Sequence, residues 1–256
     1  MSKVLLINGS PHAHGCTFTA LSVVADTLEQ NGRSCESHPS LLEPMEQREP
    51  SSLLEWPSRD RGRQSQDGRV VTDEGEANGI ATEIVHVGHK DIRGCIGCGK
   101  CRALGKCVFD DDLVNEVARK FREADGIVLG SPVYFGAVSG TMASLLNRLF
   151  YSVPAEVKRM KVGAAVVSAR RAGTTATLDQ LNKYFLHGEM PIASSRYWNM
   201  VHGNNAEEVL RDEEGLQVMR VLGRNMAFLI RAIAREREAA GLPETEPQRI
   251  ATNFIR

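Results

Sequence analysis

No run of 18 or more apolar residues occurs in the 256-residue chain, so nothing in it reads as a membrane span. Aromatic residues are scarce at 5%, which leaves aliphatic side chains to build the core. Neither sign of charge dominates. The 31 Lys and Arg against 32 Asp and Glu give a formal net charge of −1, too balanced to hold nucleic acid or an acidic membrane by a general field. The stretch Met1 to Gly9 has too short an apolar run for a secretory signal and no small-residue cleavage site. The six cysteines are therefore expected in a reducing, cytoplasmic setting, where thiols serve metals or redox chemistry more often than structural disulfides.

What the chain does contain is an alternation of apolar runs and amphipathic segments. Lys3 to Asn8 reads as a fully buried strand, and Phe18, Leu21, Val24, Ala25 and Leu28 recur at helical spacing over Thr17 to Gln30. Strands are predicted over Ile80–Val87, Gly126–Gly130 and Val162–Val167, and helices over Leu113–Glu123, Gly140–Phe150 and Thr175–Leu186. Met190–Ala193 reads as a short last strand. Leu216, Met219, Leu222, Met226, Leu229 and Ile233 mark one face of a C-terminal helix closed by Gly241-Leu242-Pro243. This regularity implies one α/β domain over residues 1–256, a doubly wound parallel sheet in a three-layer αβα arrangement.

Glu36 to Asn78 breaks the pattern. Its 43 residues hold four of the ten prolines, ten acidic and five basic side chains, and no sustained period. Such a segment cannot bury enough apolar surface to offset its ordering entropy. Excising Arg33 to Gly79 would join a helix, Asn-Gly, and the strand from Ile80 in an ordinary α-to-β connection. The segment is expected to be a disordered or loosely packed polar insertion after the first helix.

In open parallel sheets, ligands bind outside the carboxyl ends of the strands. Three such ends look alike here: Asn8-Gly9-Ser10-Pro11, then Ser131-Pro132-Val133-Tyr134-Phe135-Gly136, then Ser168-Ala169-Arg170-Arg171-Ala172-Gly173. The Ser10 and Thr17 hydroxyls, with unpaired N–H groups where the first helix starts, suit a phosphate; the same residues serve equally as helix caps. Tyr134 and Phe135 read either as core packing or as a flat face for a planar ligand, with Gly136 allowing close backbone approach. Arg170 and Arg171 read as solvated charges or as contacts to a phosphorylated ligand. Other nucleotide motifs are absent: no G-x-G-x-x-G follows the first strand, Cys101 replaces the Ser or Thr of a Walker sequence, and Ser22 stands where a Cys-x5-Arg phosphatase loop needs Arg.

Taken together with Tyr197-Trp198-Asn199-Met200, these loops resemble the NADPH-dependent FMN reductase family of flavodoxin-like folds, over nearly the whole chain apart from the insertion. The resemblance implies that Ser10, His12, Cys16, Thr17 and Phe18 hold the FMN phosphate. Pro132, Val133, Tyr134, Phe135 and Gly136 would run along the isoalloxazine and ribityl chain, and Ser168, Arg170, Arg171 and Gly173 would contact the far side of the ring system. The family often carries Arg or Lys at the His12 position and Asn at the Cys16 position. By resemblance NAD(P)H would deliver hydride to FMN, which would pass electrons to a flavin, quinone or similar acceptor. No catalytic side chain is implied, and a homo-oligomer, dimer or tetramer, is expected. Alternatives are an iron–sulfur flavoprotein serving protein partners in electron transfer and a non-enzymatic flavin-binding module.

One constellation remains. Cys95, Cys98, Cys101 and Cys107 fall within 13 residues, interleaved with Gly94, Gly97, Gly99 and Gly105. The spacing is too compact for zinc and closer to iron–sulfur ligation. It also resembles the cysteine motif of the family's iron–sulfur flavoprotein branch, which implies a [4Fe–4S] cluster near the flavin. Free or redox-exchanging thiols are the competing reading.

Overall fold

Successive residues of the first apolar run are claimed by opposite faces of one sheet. The computed structural model describes residues 1–30, 79–246, 250 and 252, and the expected insertion at 36–78 lies outside them. In β1 (Lys3–Asn8), Val4 and Leu6 pack toward α1 (Cys16–Gln30) and a long C-terminal helix (Glu213–Ala239). Leu5 and Ile7 face the other way, toward the helices Val114–Glu123, Gly140–Ser152 and Thr174–His187. The remaining elements, in chain order, are β2 (Ala81–His86), α2 (Cys101–Leu104), α3 (Val114–Glu123), β3 (Gly126–Pro132), α4 (Gly140–Ser152), α5 (Ala155–Lys158), β4 (Val162–Ala169), α6 (Thr174–His187), β5 (Met200–His202), α7 (Ala206–Val209) and α8 (Glu213–Ala239).

The five strands are all parallel, in the order β2-β1-β3-β4-β5. This is the flavodoxin-like doubly wound order, and its switch point lies between β1 and β3. The three central strands, β1, β3 and β4, alternate between two apolar clusters, which explains why their runs read as continuously hydrophobic. On one side α1 and α8 approach closely at Gly223, where an added Cβ would meet Thr27 at 2.7 Å. Asp212 caps α8 by accepting from the Gly215 N–H at 2.9 Å. Among the described residues no helix is long and apolar enough to cross a membrane.

The last strand differs from expectation. Met190–Ala193 makes one bridge, Ile192 to Gly163, through hydrogen bonds that converge on Gly163 alone. The fifth strand is instead Met200–His202, paired with Val167–Ala169. Three residues preceded by Tyr197, Trp198 and Asn199 carry too little periodicity to be read as a strand.

Candidate functional site

The turn after β1 is built around the buried Asn8 side chain. Its Nδ2 donates to the Ala13 carbonyl at 3.1 Å, and its Oδ1 accepts from the Ser10 N–H at 3.1 Å. The Ser10 hydroxyl accepts from the His12 N–H at 3.2 Å. So fastened, the loop presents donors: among the described residues no partner takes the N–H of Ala13, His14, Cys16 or Phe18, and α1 contributes its positive end. That is an anion cradle.

From the other side, His86 at the end of β2 grips the same loop. Its Nε2 lies 2.7 Å from the Ser10 carbonyl oxygen, which can only accept, so the ring donates. Burial, joined by His89, Lys90 and His14, outweighs that hydrogen bond and pushes the His86 pKa below the usual imidazole value. Gly88 then touches the Ser10 carbonyl so closely that no Cβ fits.

The loop after β3 ends in a tight turn. Tyr134 and Ala137 exchange both backbone hydrogen bonds at 2.9 Å, with Phe135 and Gly136 at positive φ (51° and 76°). The Tyr134 and Phe135 side chains are exposed, at 45% and 107%, so core packing is not their role. Gly173, at φ 91°, lets the loop after β4 pass beneath this turn; a Cβ there would meet Val133 at 2.8 Å and the Gly136 Cα at 3.1 Å. Ser139 joins the two loops, its hydroxyl donating to the Gly9 carbonyl at 2.7 Å and its N–H to the Ser131 hydroxyl at 3.0 Å. Ser10, Pro132, Val133 and the 134–136 turn are thus brought together around the switch point.

Two expected ligand residues stand behind this surface. Thr17 (0% exposed) and Ser168 (2%) hydrogen-bond to each other at 2.8 Å, and neither presents surface for a cofactor to touch. They pin the first turn of α1 to the end of β4. Cys16 is partly exposed; its thiol donates to the Gly203 carbonyl at 3.4 Å, and burial raises its pKa, so its side chain is a neutral thiol. His12 is exposed on the loop and Phe18 half-buried, its ring edge-on to His14 at 4.9 Å. Arg170 borders an open cleft with His202, Gly203, Glu208, Arg211 and Asp212, whereas Arg171 is simply exposed.

The four clustered cysteines occupy a different place. Cys95, Cys98, Cys101 and Cys107 line one small, partly open pocket of ≈ 20 Å³, together with Ile96, Val108, Phe109 and the last turn of α4. Cys101 donates to the Tyr151 carbonyl at 3.8 Å. Gly97, Gly99 and Gly105 all adopt positive φ, as the loop's tight path requires. Among the described residues no three His, Cys, Asp or Glu side chains gather around a point suited to a single metal ion. The pocket takes part of its wall from the C-terminal half of α4, whereas the 134–136 turn precedes the helix's start.

Sequence reasoning missed Arg148. It is 1% exposed and ion-paired to Asp112. Its Nε donates to the Cys107 sulfur at 3.3 Å, and its Nη groups reach the carbonyls of Arg93 (3.2 Å) and Phe109 (3.3 Å). The signal was a lone charge on the buried stripe of α4, alongside Met142, Leu145 and Leu149.

A doubly wound sheet whose switch point joins an anion cradle to an exposed aromatic turn defines a flavodoxin-like, flavin-dependent oxidoreductase. The sequence pattern of NADPH-dependent FMN reductases matches residues 58–205, and the chain belongs to that family. An iron-sulfur flavoprotein of Methanocaldococcus jannaschii is 36% identical over 167 residues, covering 61% of this chain and 84% of that protein. An iron-sulfur flavoprotein of Methanosarcina thermophila is 29% identical over 167 residues, covering 62% and 84%. Among solved structures, RosB superposes with a TM-score of 0.59 at 14% identity, covering 100% of this chain and 94% of that one. An NADH:FMN oxidoreductase superposes with a TM-score of 0.51 at 14% identity, covering 96% and 98%. At these identities the superpositions speak to fold.

Proposed function

We propose that this chain is an iron–sulfur flavoprotein, an oxidoreductase that takes electrons from NAD(P)H for a further acceptor and would hold FMN and a [4Fe–4S] cluster for that chemistry. The observation that carries the reading is the cavity walled by all four thiols of Cys95, Cys98, Cys101 and Cys107. An all-thiolate donor set is the chemistry of iron–sulfur clusters. The names of the relatives support the same reading, and the family name supports NAD(P)H as donor.

The chemistry of the other site suits FMN: its phosphate would find free N–H groups at the start of α1, and its planar ring a turn with positive φ and exposed aromatic faces. When bound, FMN supplies the exchange between hydride and single electrons. The protein's part is position and field. Cys16 and Phe18 offer backbone N–H groups, Ser10 and His86 hold the loop in shape, and Tyr134 to Gly136 offer amides and a flat surface. Cys95, Cys98, Cys101 and Cys107 would ligate the cluster, with Lys100, Arg102 and Lys106 offsetting thiolate charge.

Anaerobic purification from iron-replete cells tests the reading. The expected product contains one FMN and about four iron and four sulfide per chain, with overlapping flavin and cluster absorption. Full FMN with negligible iron after reconstitution overturns the cluster and leaves an FMN reductase.

A further inference from the structure

We propose that Arg148 is a positioning residue for the Cys107 sulfur, its Nε–H holding that ligand at one corner of the metal cluster and raising the cluster's reduction potential. The inference rests on the cluster reading above and adds a residue outside the cysteine motif.

Every hydrogen-bond acceptor of the guanidinium lies on residues 93–112, the segment that carries the cysteines: the carbonyls of Arg93 and Phe109, the carboxylate of Asp112 and the sulfur of Cys107. From α4, one buried side chain therefore ties down both approaches to the cavity. Nη1 and Nη2 already provide the carbonyl and carboxylate contacts. The Nε–H is aimed separately at sulfur, 3.3 Å away. A neutral thiol is a weak acceptor, whereas a thiolate or metal-bound sulfur is a strong one.

The guanidinium stays charged despite its burial. An arginine side chain is not deprotonated in proteins, and here Asp112 pairs with it. Asp112 is itself nearly buried and neutralises the net charge. What reaches the sulfur is therefore mostly a directed N–H dipole. Arg93, whose guanidinium lies 4.0 Å over the Phe109 ring, backs the same wall. On reduction the cluster takes up one electron from the titrant, no bond breaks, and the added negative charge spreads onto its sulfurs. A donor fixed on one of them favours the reduced form.

Arg148→Lys keeps a positive charge beside Asp112 but has no Nε–H fork to reach sulfur. Arg148→Met with Asp112→Asn removes both halves of the ion pair, so no buried charge is left alone. The Val114 N–H, which donates to the Asp112 carboxylate at 3.1 Å, keeps an acceptor in the amide oxygen of the substituted side chain. The experiment is a dye-mediated redox titration of the full-length holoprotein, reconstituted with iron and sulfide and followed by electron paramagnetic resonance. Arg148→Lys and the double variant are each expected to disfavour cluster reduction about tenfold, a 59 mV fall for a one-electron couple, with FMN content and the flavin potential unchanged. Variants that retain cluster and FMN at the wild-type cluster potential overturn the role of Arg148 alone. Wild-type protein that takes up no iron overturns the cluster reading and this inference together.

Discussion

The hydroxyls of Thr17 and Ser168 meet at 2.8 Å with no solvent between them, linking the first turn of α1 to the end of β4. Thr17→Val keeps the shape but leaves the Ser168 hydroxyl buried without its partner, a loss of about 1–3 kcal/mol in stability. Ser168→Ala should cost a similar amount, and the double variant less than the sum. Urea unfolding of the four proteins measures this, and strict additivity would show that the hydroxyls do not interact. FMN affinity should change little in Thr17→Val, because Thr17 has no surface to offer.

A second expectation concerns the grip of β2 on the phosphate loop. Gly88→Ala must displace the Ser10 carbonyl and should weaken FMN by tenfold or more, read by fluorescence quenching. Gly140→Ala is the control: nothing lies within 4 Å of its Cβ, and replacing glycine in a helix stabilises by about 0.4–1 kcal/mol. Equal FMN affinity in the two variants would remove the Gly88 contact from the account.

Acid sensitivity should trace in part to Glu83. Burial would raise its pKa, yet Lys120 and Lys3 pull it down further, so the net shift is downward. A carboxylate with a lowered folded-state pKa stabilises the protein above the ordinary carboxylate value. That contribution is lost as the pH falls through the folded value. Glu83→Gln should therefore cost roughly 1–3 kcal/mol at pH 7, tempered because Glu116 remains 3.3 Å from Lys120. The difference from wild type should shrink toward zero below the carboxylate range. A gap that persists at low pH would assign the loss to packing.

The fold was legible because its three central strands are buried on both faces. Runs such as Val4-Leu5-Leu6-Ile7 and Ile127-Val128-Leu129 suit the covered strands of a parallel sheet and little else at that length. β5 was not, since three residues at a sheet edge leave no period. Of the site, the loops were readable from Gly, Ser and Pro at strand ends, but depth was not. Thr17 and Cys16 are neighbours in sequence, and only the helix phase puts one inside the wall and the other near its face. Arg148 and His86 act on loops 41 and 76 residues away, and such contacts leave no local signature.

The 36–78 segment can be tested without knowing its conformation. The end of α1 and the start of β2 lie together, with the Thr82 hydroxyl donating to Glu29 and Gly79 beside the Glu29 carbonyl. Deleting Arg33 to Gly79 should therefore leave a short connection and a folded, FMN-binding protein. Insoluble or flavin-free product would mean that the segment packs on the domain.

The most direct test of two redox centres in one chain is an anaerobic reductive titration of the holoprotein, counting electrons by absorption. With FMN and a [4Fe–4S] cluster both present, full reduction takes about three electrons per chain, two for the flavin and one for the cluster. An endpoint at two, with only flavin bands bleached, would contradict the cluster and leave Cys95, Cys98, Cys101 and Cys107 as thiols.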